Sequence, residues 1–365
     1  MMPNPIRLLI VDDSALAQKT ISASLASFPE IQIVGTAADP YIARDKILQL
    51  KPDVMTLDLE MPRMDGITFL RAIMKHRPMP VIILSSLTPS NSLNALEALQ
   101  AGAVDVMEKS AGLLSACAQG RLLSEKIKAA AGARLRGFSP DPPPARPGAP
   151  PAGATTARLF PPRKIILMGS STGGTEALKT ILTSMRGDLP GICIVQHIPP
   201  RFSQTFADRM NQICPMQVRE ARDRDIVRPG LALLAPGDYH MLLKWENGHY
   251  QVRLNQGPPI HHQRPAVDIL FDSAVQAGAA PHTAAALLTG MGSDGAAGLL
   301  HLANAGAATI AQNQETCVVF GMPREAIRLG AAHHIVPLEQ IGPRLDTLIS
   351  SPFPIPGNGT QPGNS

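Results

Sequence analysis

Aromatic residues are scarce in this chain, 4% of 365 residues, and charge is modest: 17% of residues are charged, with a formal net charge of only +4. A nucleic-acid surface needs a basic stripe to follow phosphates or aromatic platforms to stack bases, and this inventory suggests neither. No uninterrupted apolar run of about 18 residues occurs, which argues against a membrane-inserted segment. The opening Met1-Met2-Pro3-Asn4-Pro5-Ile6-Arg7 also lacks the apolar stretch of a signal peptide. The expectation is a cytoplasmic protein without a nucleic-acid partner. Cysteine is equally sparse. Cys117, Cys193, Cys214 and Cys317 show no metal-ligand spacing, and two of them sit in apolar runs, so they read as buried structural thiols.

Proline, by contrast, is plentiful and unevenly placed. Residues 139 to 162 read SPDPPPARPGAPPAGATTARLFPP, with nine prolines and almost no large apolar side chains, which cannot form a packed core. The chain is long enough for two domains, each with a full core. The expected division is a first domain over 1–131, a Pro-rich linker over 132–162, a second domain over 163–350, and a frayed tail over 351–365.

Short apolar runs alternate with helical patterns before the linker: Arg7 to Val11, Ile31 to Gly35, Val54 to Leu57, Val81 to Leu84 and Val104 to Met107. The same rhythm restarts at Lys164 to Met168, Ile192 to Gln196 and Ala284 to Leu288. This predicts two α/β units with parallel sheets, whose sites lie at the carboxyl ends of the strands.

In the first unit those ends carry Asp12-Asp13, Asp58, Ser85 and the approach to Lys109. Right-handed crossovers put them on one edge, so three carboxylates, a hydroxyl and an ammonium converge. Crowded carboxylates are costly without a hard divalent cation, which points to Mg²⁺. The cation would let an anionic phosphate approach Asp58 as a carboxylate nucleophile, with Ser85 contacting the acyl-phosphate and Lys109 offsetting its charge. Helix capping would explain any one of these aspartates, but not Lys109 or the segment LDLEMPRMDG.

In the second unit the strand KIILM runs into Gly169-Ser170-Ser171-Thr172-Gly173-Gly174 and then the helical pattern TEALKTIL. A P-loop would need lysine where Thr175 and Glu176 stand, and a dinucleotide fold would want an acid at the next strand end, where Gln196-His197 stands. A serine nucleophile fits better. His197 ends the run ICIVQ, and Asp294 follows AAALL within Thr289-Gly290-Met291-Gly292-Ser293-Asp294-Gly295, so serine, histidine and aspartate meet in one crevice as nucleophile, base and orienting carboxylate. Local chemistry leaves Ser170 and Ser171 as alternatives, and Asp294 between glycines also suits a turn. Helix N–H groups after Gly173 and the backbone around Met291 and Gly292 are candidate oxyanion donors. The neighbours His261 and His262, in a segment read as extended, would point to opposite faces and so make a poor metal site.

Residues 6 to about 128 resemble a response-regulator receiver. That resemblance implies a flavodoxin-like five-stranded parallel sheet, with Asp58 as phospho-acceptor, Asp12 and Asp13 as the Mg²⁺ pair, the backbone carbonyl of Glu60 as a further ligand, and Ser85 and Lys109 as switch residues. Ser110 departs from the proline that usually follows the lysine. From Lys164 to about Ile349 the chain resembles the catalytic domain of the CheB family of chemotaxis protein-glutamate methylesterases, through GSSTGGTEAL, QHIPPRFSQTFADRM, APGDYHM, LLTGMGSDGAAGL and AQNQETCVVFGMPREAI. This implies a Rossmann-like hydrolytic domain with a mainly parallel sheet, Ser171 as nucleophile rather than Ser170, His197 as base, Asp294 as orienter, and Thr172 and Met291 lining the site. Ser293 stands where asparagine is common, and Gln263 where histidine is common. The implied reaction is hydrolysis of glutamate methyl esters on the cytoplasmic helices of chemoreceptors, with methanol released and receptor glutamines deamidated. No cofactor is needed for ester hydrolysis. The implied phosphodonor is the chemotaxis histidine kinase, and the unphosphorylated receiver is expected to cover the Ser171 crevice.

Overall fold

A computed structural model describes residues 4–85, 89–109, 113–135 and 160–350. Most of the expected linker, the whole tail, Ser110 and the side chain of Cys117 lie outside the described residues.

The first sheet holds five parallel strands, β1 (Ile6–Val11), β2 (Ile31–Ala37), β3 (Val54–Asp58), β4 (Val81–Ser85) and β5 (Asp105–Glu108), in the order β2-β1-β3-β4-β5. Strands such as VIILS in β4 are buried along their whole length, as a sheet covered on both faces requires. Five helices provide the cover: α1 (Ala15–Leu25), α2 (Pro40–Leu50), α3 (Gly66–His76), α4 (Pro89–Gln100) and α5 (Leu113–Ala131). Local signals set their starts. Asp39 and Asp65 accept the first free N–H groups of α2 and α3, and Pro40 occupies the first turn of α2, where its missing donor costs nothing.

The second sheet has seven strands: β6 (Ile165–Ser170), β7 (Ile192–Gln196), β8 (Gln217–Glu220), β9 (Leu231–Leu234), β12 (Thr283–Leu287), β13 (Ala308–Gln312) and β14 (His334–Val336). Their order is β14-β13-β12-β6-β7-β9-β8, and every neighbouring pair is parallel. Between β9 and β12 the chain makes an antiparallel hairpin, β10 (His240–Glu246) and β11 (His249–Asn255), turning at Asn247-Gly248. Both turn residues have positive φ, 51° and 82°, as a type I′ turn demands. The remaining helices are α6 (Gly174–Ser184), α7 (Phe202–Ile213), α8 (Val267–Gln276), α9 (Ala296–Asn304), α10 (Met322–Arg328) and α11 (Leu338–Ser350).

Each sheet reverses its winding once. Strand β1 lies between β2 and β3, and β6 lies between β7 and β12, so the crevices open at the carboxyl ends of β1/β3 and β6/β12. The two apolar interiors are not separate, because one buried cluster runs from Leu99 and Met74 in the first domain to Ile181 and Leu338 in the second.

Candidate active site

In the first crevice Asp12 follows β1, Asp58 ends β3, and Lys109 follows β5. The ammonium of Lys109 lies 2.7 Å from Asp12 Oδ2 and 2.6 Å from Asp58 Oδ2. Asp12 and Asp58 are buried and Asp13 is exposed, and one carboxylate oxygen from each lies within 4.8 Å of the others. Burial pushes the Asp58 carboxyl above its usual range, against the opposing pull of Lys109. Burial alone would lower Lys109, but its bonds to Asp12 and Asp58 outweigh that and raise it. One ammonium against three carboxylates leaves an excess of oxygen-borne negative charge, a donor set that fits a hard divalent cation. Glu60 joins through its N–H, which donates to Asp58 Oδ1 at 3.2 Å. Ser85 is buried at the end of β4, and its carbonyl accepts the Lys109 N–H at 2.9 Å.

The second crevice brings Ser171, His197 and Asp294 together from the ends of β6, β7 and β12. His197 Nδ1 lies 3.1 Å from Ser171 Oγ, and its Nε2 lies 2.7 Å from Asp294 Oδ2. The ring therefore turns Nδ1 to the serine, the reverse of the arrangement in the chymotrypsin triad. Asp294 is almost fully buried and also accepts N–H groups from Val267 (2.6 Å) and Asp268 (3.0 Å) at the start of α8. Burial would raise its carboxyl, but the His197 hydrogen bond and charge, with these backbone donors, hold it below the usual carboxylate range.

The two neighbouring serines part company. Ser170, the last residue of β6, is fully buried and donates to Gln196 Oε1 at 2.6 Å, whereas Ser171 sits in the turn facing His197. The amide of Gln196 in turn donates to the carbonyls of Ser171 (2.8 Å) and His197 (3.0 Å), so one side chain ties both strand ends together. Gly174 permits this, because a Cβ there would stand 2.1 Å from Gln196 Oε1. The Ser171 N–H donates to the Thr289 carbonyl at 3.0 Å, and the Thr289 hydroxyl donates to the Thr172 carbonyl at 3.0 Å, pinning this turn to the one that carries Met291.

The candidate lining residues divide. Met291 and Gly292 line a cavity of about 760 Å³ with His197 and Asp294, while Gly173, with φ of 77°, caps α6 and faces a different cavity between the domains. One expected oxyanion donor is already engaged, since the Gly174 N–H donates to the Ser171 carbonyl at 2.7 Å. The segment holding His261 and His262 is not extended. Both residues have positive φ, 49° and 60°, because Ile260 and Gln263 pair across them to close a tight turn. His261 bonds Asp268 Oδ2 at 3.1 Å, and His262 joins the wall of the cavity beside His197. Among the described cysteines, Cys193, Cys214 and Cys317 are free, and burial pushes each thiol up to about 12.

The first domain lies directly on this crevice. Asp105, at the start of β5, accepts the Thr172 hydroxyl at 2.5 Å and pairs with Lys126 at 2.7 Å, with both acidic and basic side chains largely buried. Arg134 N–H donates to the Val318 carbonyl at 3.0 Å, and Arg209 donates to Gln100 at 2.8 Å. Glu125, Lys128 and Gly132 complete the far wall of the 760 Å³ cavity. Nothing in the sequence singles out Asp105, whose role depends on how the two domains meet.

The comparisons with known proteins follow the same division. A CheB methylesterase family profile matches residues 166–345, and a response regulator receiver domain profile matches residues 8–115. A protein-glutamate methylesterase/protein-glutamine glutaminase of Syntrophus aciditrophicus is 48% identical over 94% of this chain and 99% of its own length. A protein of the same name from Pseudomonas aeruginosa is 47% identical over 93% of this chain and 96% of its own. The crystal structure of the Thermotoga maritima CheB methylesterase catalytic domain superposes with a TM-score of 0.50 at 40% identity, covering 51% of this chain and 98% of that one.

Proposed function

Because the chain belongs to the CheB methylesterase family, in the form that carries a receiver domain, we propose that it demethylates glutamate methyl esters and deamidates glutamines on chemoreceptors, under the control of phosphorylation at Asp58. The observation that carries the reading is the unbroken line Ser171 Oγ to His197 to Asp294, spanned at 3.1 and 2.7 Å.

Ser171 attacks the ester carbonyl while its proton passes to His197 Nδ1, and Asp294 stabilises the resulting imidazolium through Nε2. The tetrahedral oxygen is met by backbone donors from Thr172 and Gly173 and from Met291 and Gly292, since the N–H groups of Ser171, Gly174 and Gly290 are already engaged. Collapse breaks the bond to the methoxy oxygen, which takes the proton from His197 and leaves as methanol. Water, deprotonated by the same histidine, then releases glutamate and restores Ser171. A side-chain amide enters by the same route and loses ammonia instead of methanol.

In the receiver, Asp12, Asp13 and Asp58, with the Glu60 carbonyl, would hold Mg²⁺, which supplies charge neutralisation for a phosphoryl group. Lys109 already bridges Asp12 and Asp58 and is placed to pair with the new anion. A cytoplasmic histidine kinase is the proposed donor and the helices of methylated chemoreceptors the proposed substrate. No helix among the described residues is long and apolar enough to cross a membrane. The receiver contact at Thr172, next to Ser171 in the chain, supports reading this arrangement as one that hinders a receptor helix, with phosphorylation acting by favouring an open arrangement.

Methanol release from methylated receptor tests the reading directly. Ser171→Ala should lower it by roughly 10⁴-fold or more, and Asp58→Asn should leave the basal rate while removing the increase caused by a phosphodonor. Unchanged release by Ser171→Ala would overturn the assignment.

A further inference from the structure

Behind the Ser171–His197–Asp294 line lies a second histidine–aspartate pair, a buried Asp268 bonded to an exposed His261, and resting on the reading above, we infer that Asp268 is a positioning residue for Asp294, with His261 as its anchor. Asp268 is the second residue of α8 and is buried, although nothing in the ester chemistry requires a carboxylate there.

Its bonds reciprocate those of Asp294. The Asp294 carboxylate accepts the first N–H groups of α8, from Val267 and Asp268. The Asp268 carboxylate accepts, at 2.7 Å, the N–H of Gly298 in the first turn of α9, four residues beyond Asp294 in the chain. Each acid thus ties down a neighbouring helix: Asp294 holds α8, which carries Asp268, and Asp268 holds α9, which begins two residues after Asp294. The crossing is close, since a Cβ on Gly298 would stand 3.1 Å from Asp268 Oδ1. A shift of α8 or α9 would therefore carry Asp294 away from His197.

Two carboxylates this near would repel each other unless each had a cationic or donor partner. Asp294 has His197 and Asp268 has His261, whose Nε2 lies 3.1 Å from Asp268 Oδ2. Burial and the charge of Asp294 both push the Asp268 carboxyl upward, against the bonds from Gly298 and His261. The groups facing Asp268 are thus Asp294 from the 290–295 turn, the Gly298 N–H from α9, and His261 from the 260–263 turn. His261 is held in place by left-handed backbone at two successive non-glycine residues, a conformation that costs free energy and that persists where the surroundings enforce it. The ionised Asp268 places a second negative charge behind the Asp294–His197 pair.

The test uses full-length protein with a phosphodonor, following methanol release from methylated receptor across pH. Asp268→Asn keeps an acceptor for Gly298 but removes the charge. Its kcat should fall about tenfold with KM unchanged, and the acid limb of the kcat/KM profile should move to lower pH by about one unit, because a base beside less negative charge is protonated less readily. An acid limb that stays in place would overturn the inference, since a purely structural role changes stability without moving that limb. Should Asp268→Asn not fold, His261→Ala on the exposed turn releases the anchor alone. It should lower kcat severalfold at constant KM, and wild-type kcat would equally overturn the inference. Ser171→Ala run in parallel separates the two claims: if it is inactive while both other variants behave as wild type, only the role of Asp268 fails.

Discussion

The two crevices of this protein are built by one topological device and put it to opposite uses. In both, a parallel sheet reverses its winding beside its first strand, and reactive side chains from the strand ends converge around a buried aspartate. In the receiver, Asp58 has one weak backbone donor, a shared ammonium and a like-charged neighbour, and burial raises its carboxyl. In the esterase domain, Asp294 has two backbone donors and a histidine, which hold its carboxyl low. The first environment suits a group whose charge is to be changed by modification. The second suits one whose charge must not vary while a proton moves nearby. Burial alone therefore does not specify a role for an aspartate; the number and rigidity of its donors do.

The contrast can be broken most severely at Asp294. Asp294→Asn should retain the fold, since the amide oxygen still accepts from α8, yet lower methanol release by about 10³- to 10⁴-fold, because the imidazolium loses its counter-charge. A fall of less than tenfold, with circular dichroism unchanged, would show that a fixed charge is not needed there.

The link between the crevices comes next. A hydrogen bond to a charged group contributes about 1.5–3 kcal/mol, so Asp105→Asn should weaken the hold of the receiver on Thr172. The unphosphorylated rate should rise about tenfold and the phosphodonor-stimulated rate should stay the same. A basal rate identical to wild type would place the closing contact elsewhere on the interface.

The smallest effect concerns the acidic crevice itself. A cation bound at ten times its dissociation constant stabilises the folded state by about 1.4 kcal/mol, so Mg²⁺ should raise the unfolding temperature of the receiver by several degrees. Asp13→Asn should abolish the increase and Ser171→Ala should keep it. Equal responses in both variants would locate the cation outside the Asp12–Asp13–Asp58 group.

The sequence makes the architecture legible wherever strands are buried on both faces, because β4, β6 and β7 are continuous apolar runs that stop abruptly at polar or small strand ends, and β1 and β3 are broken only by Arg7 and Thr56. It conceals the edges. QVRE in β8 is half polar because it borders the sheet, and β14 is only three residues long. The hairpin of β10 and β11 is absent from the strand runs read above, although Asn247-Gly248 between two runs of mixed polarity is a turn signal that needs no structure to be used. The convergence of Ser171, His197 and Asp294 follows from strand order alone. The separation of Ser170 from Ser171 by local geometry does not, since it depends on Gln196 reaching across from β7. Asp268 gave no sign either, because an acid in the first turn of a helix is ordinary.

The last strand of the receiver sheet, β5, has one strand partner among the described residues, and Val106, Met107 and Glu108 along it line a cavity shared with His197 and Pro200 of the esterase domain. The catalytic domain thus shields an open strand edge. An opening of the kind proposed above would uncover that edge, and the open form should then be the one more prone to self-association, which light scattering with and without a phosphodonor would check. At four residues β5 is short, which would keep this hazard small whenever the edge is exposed.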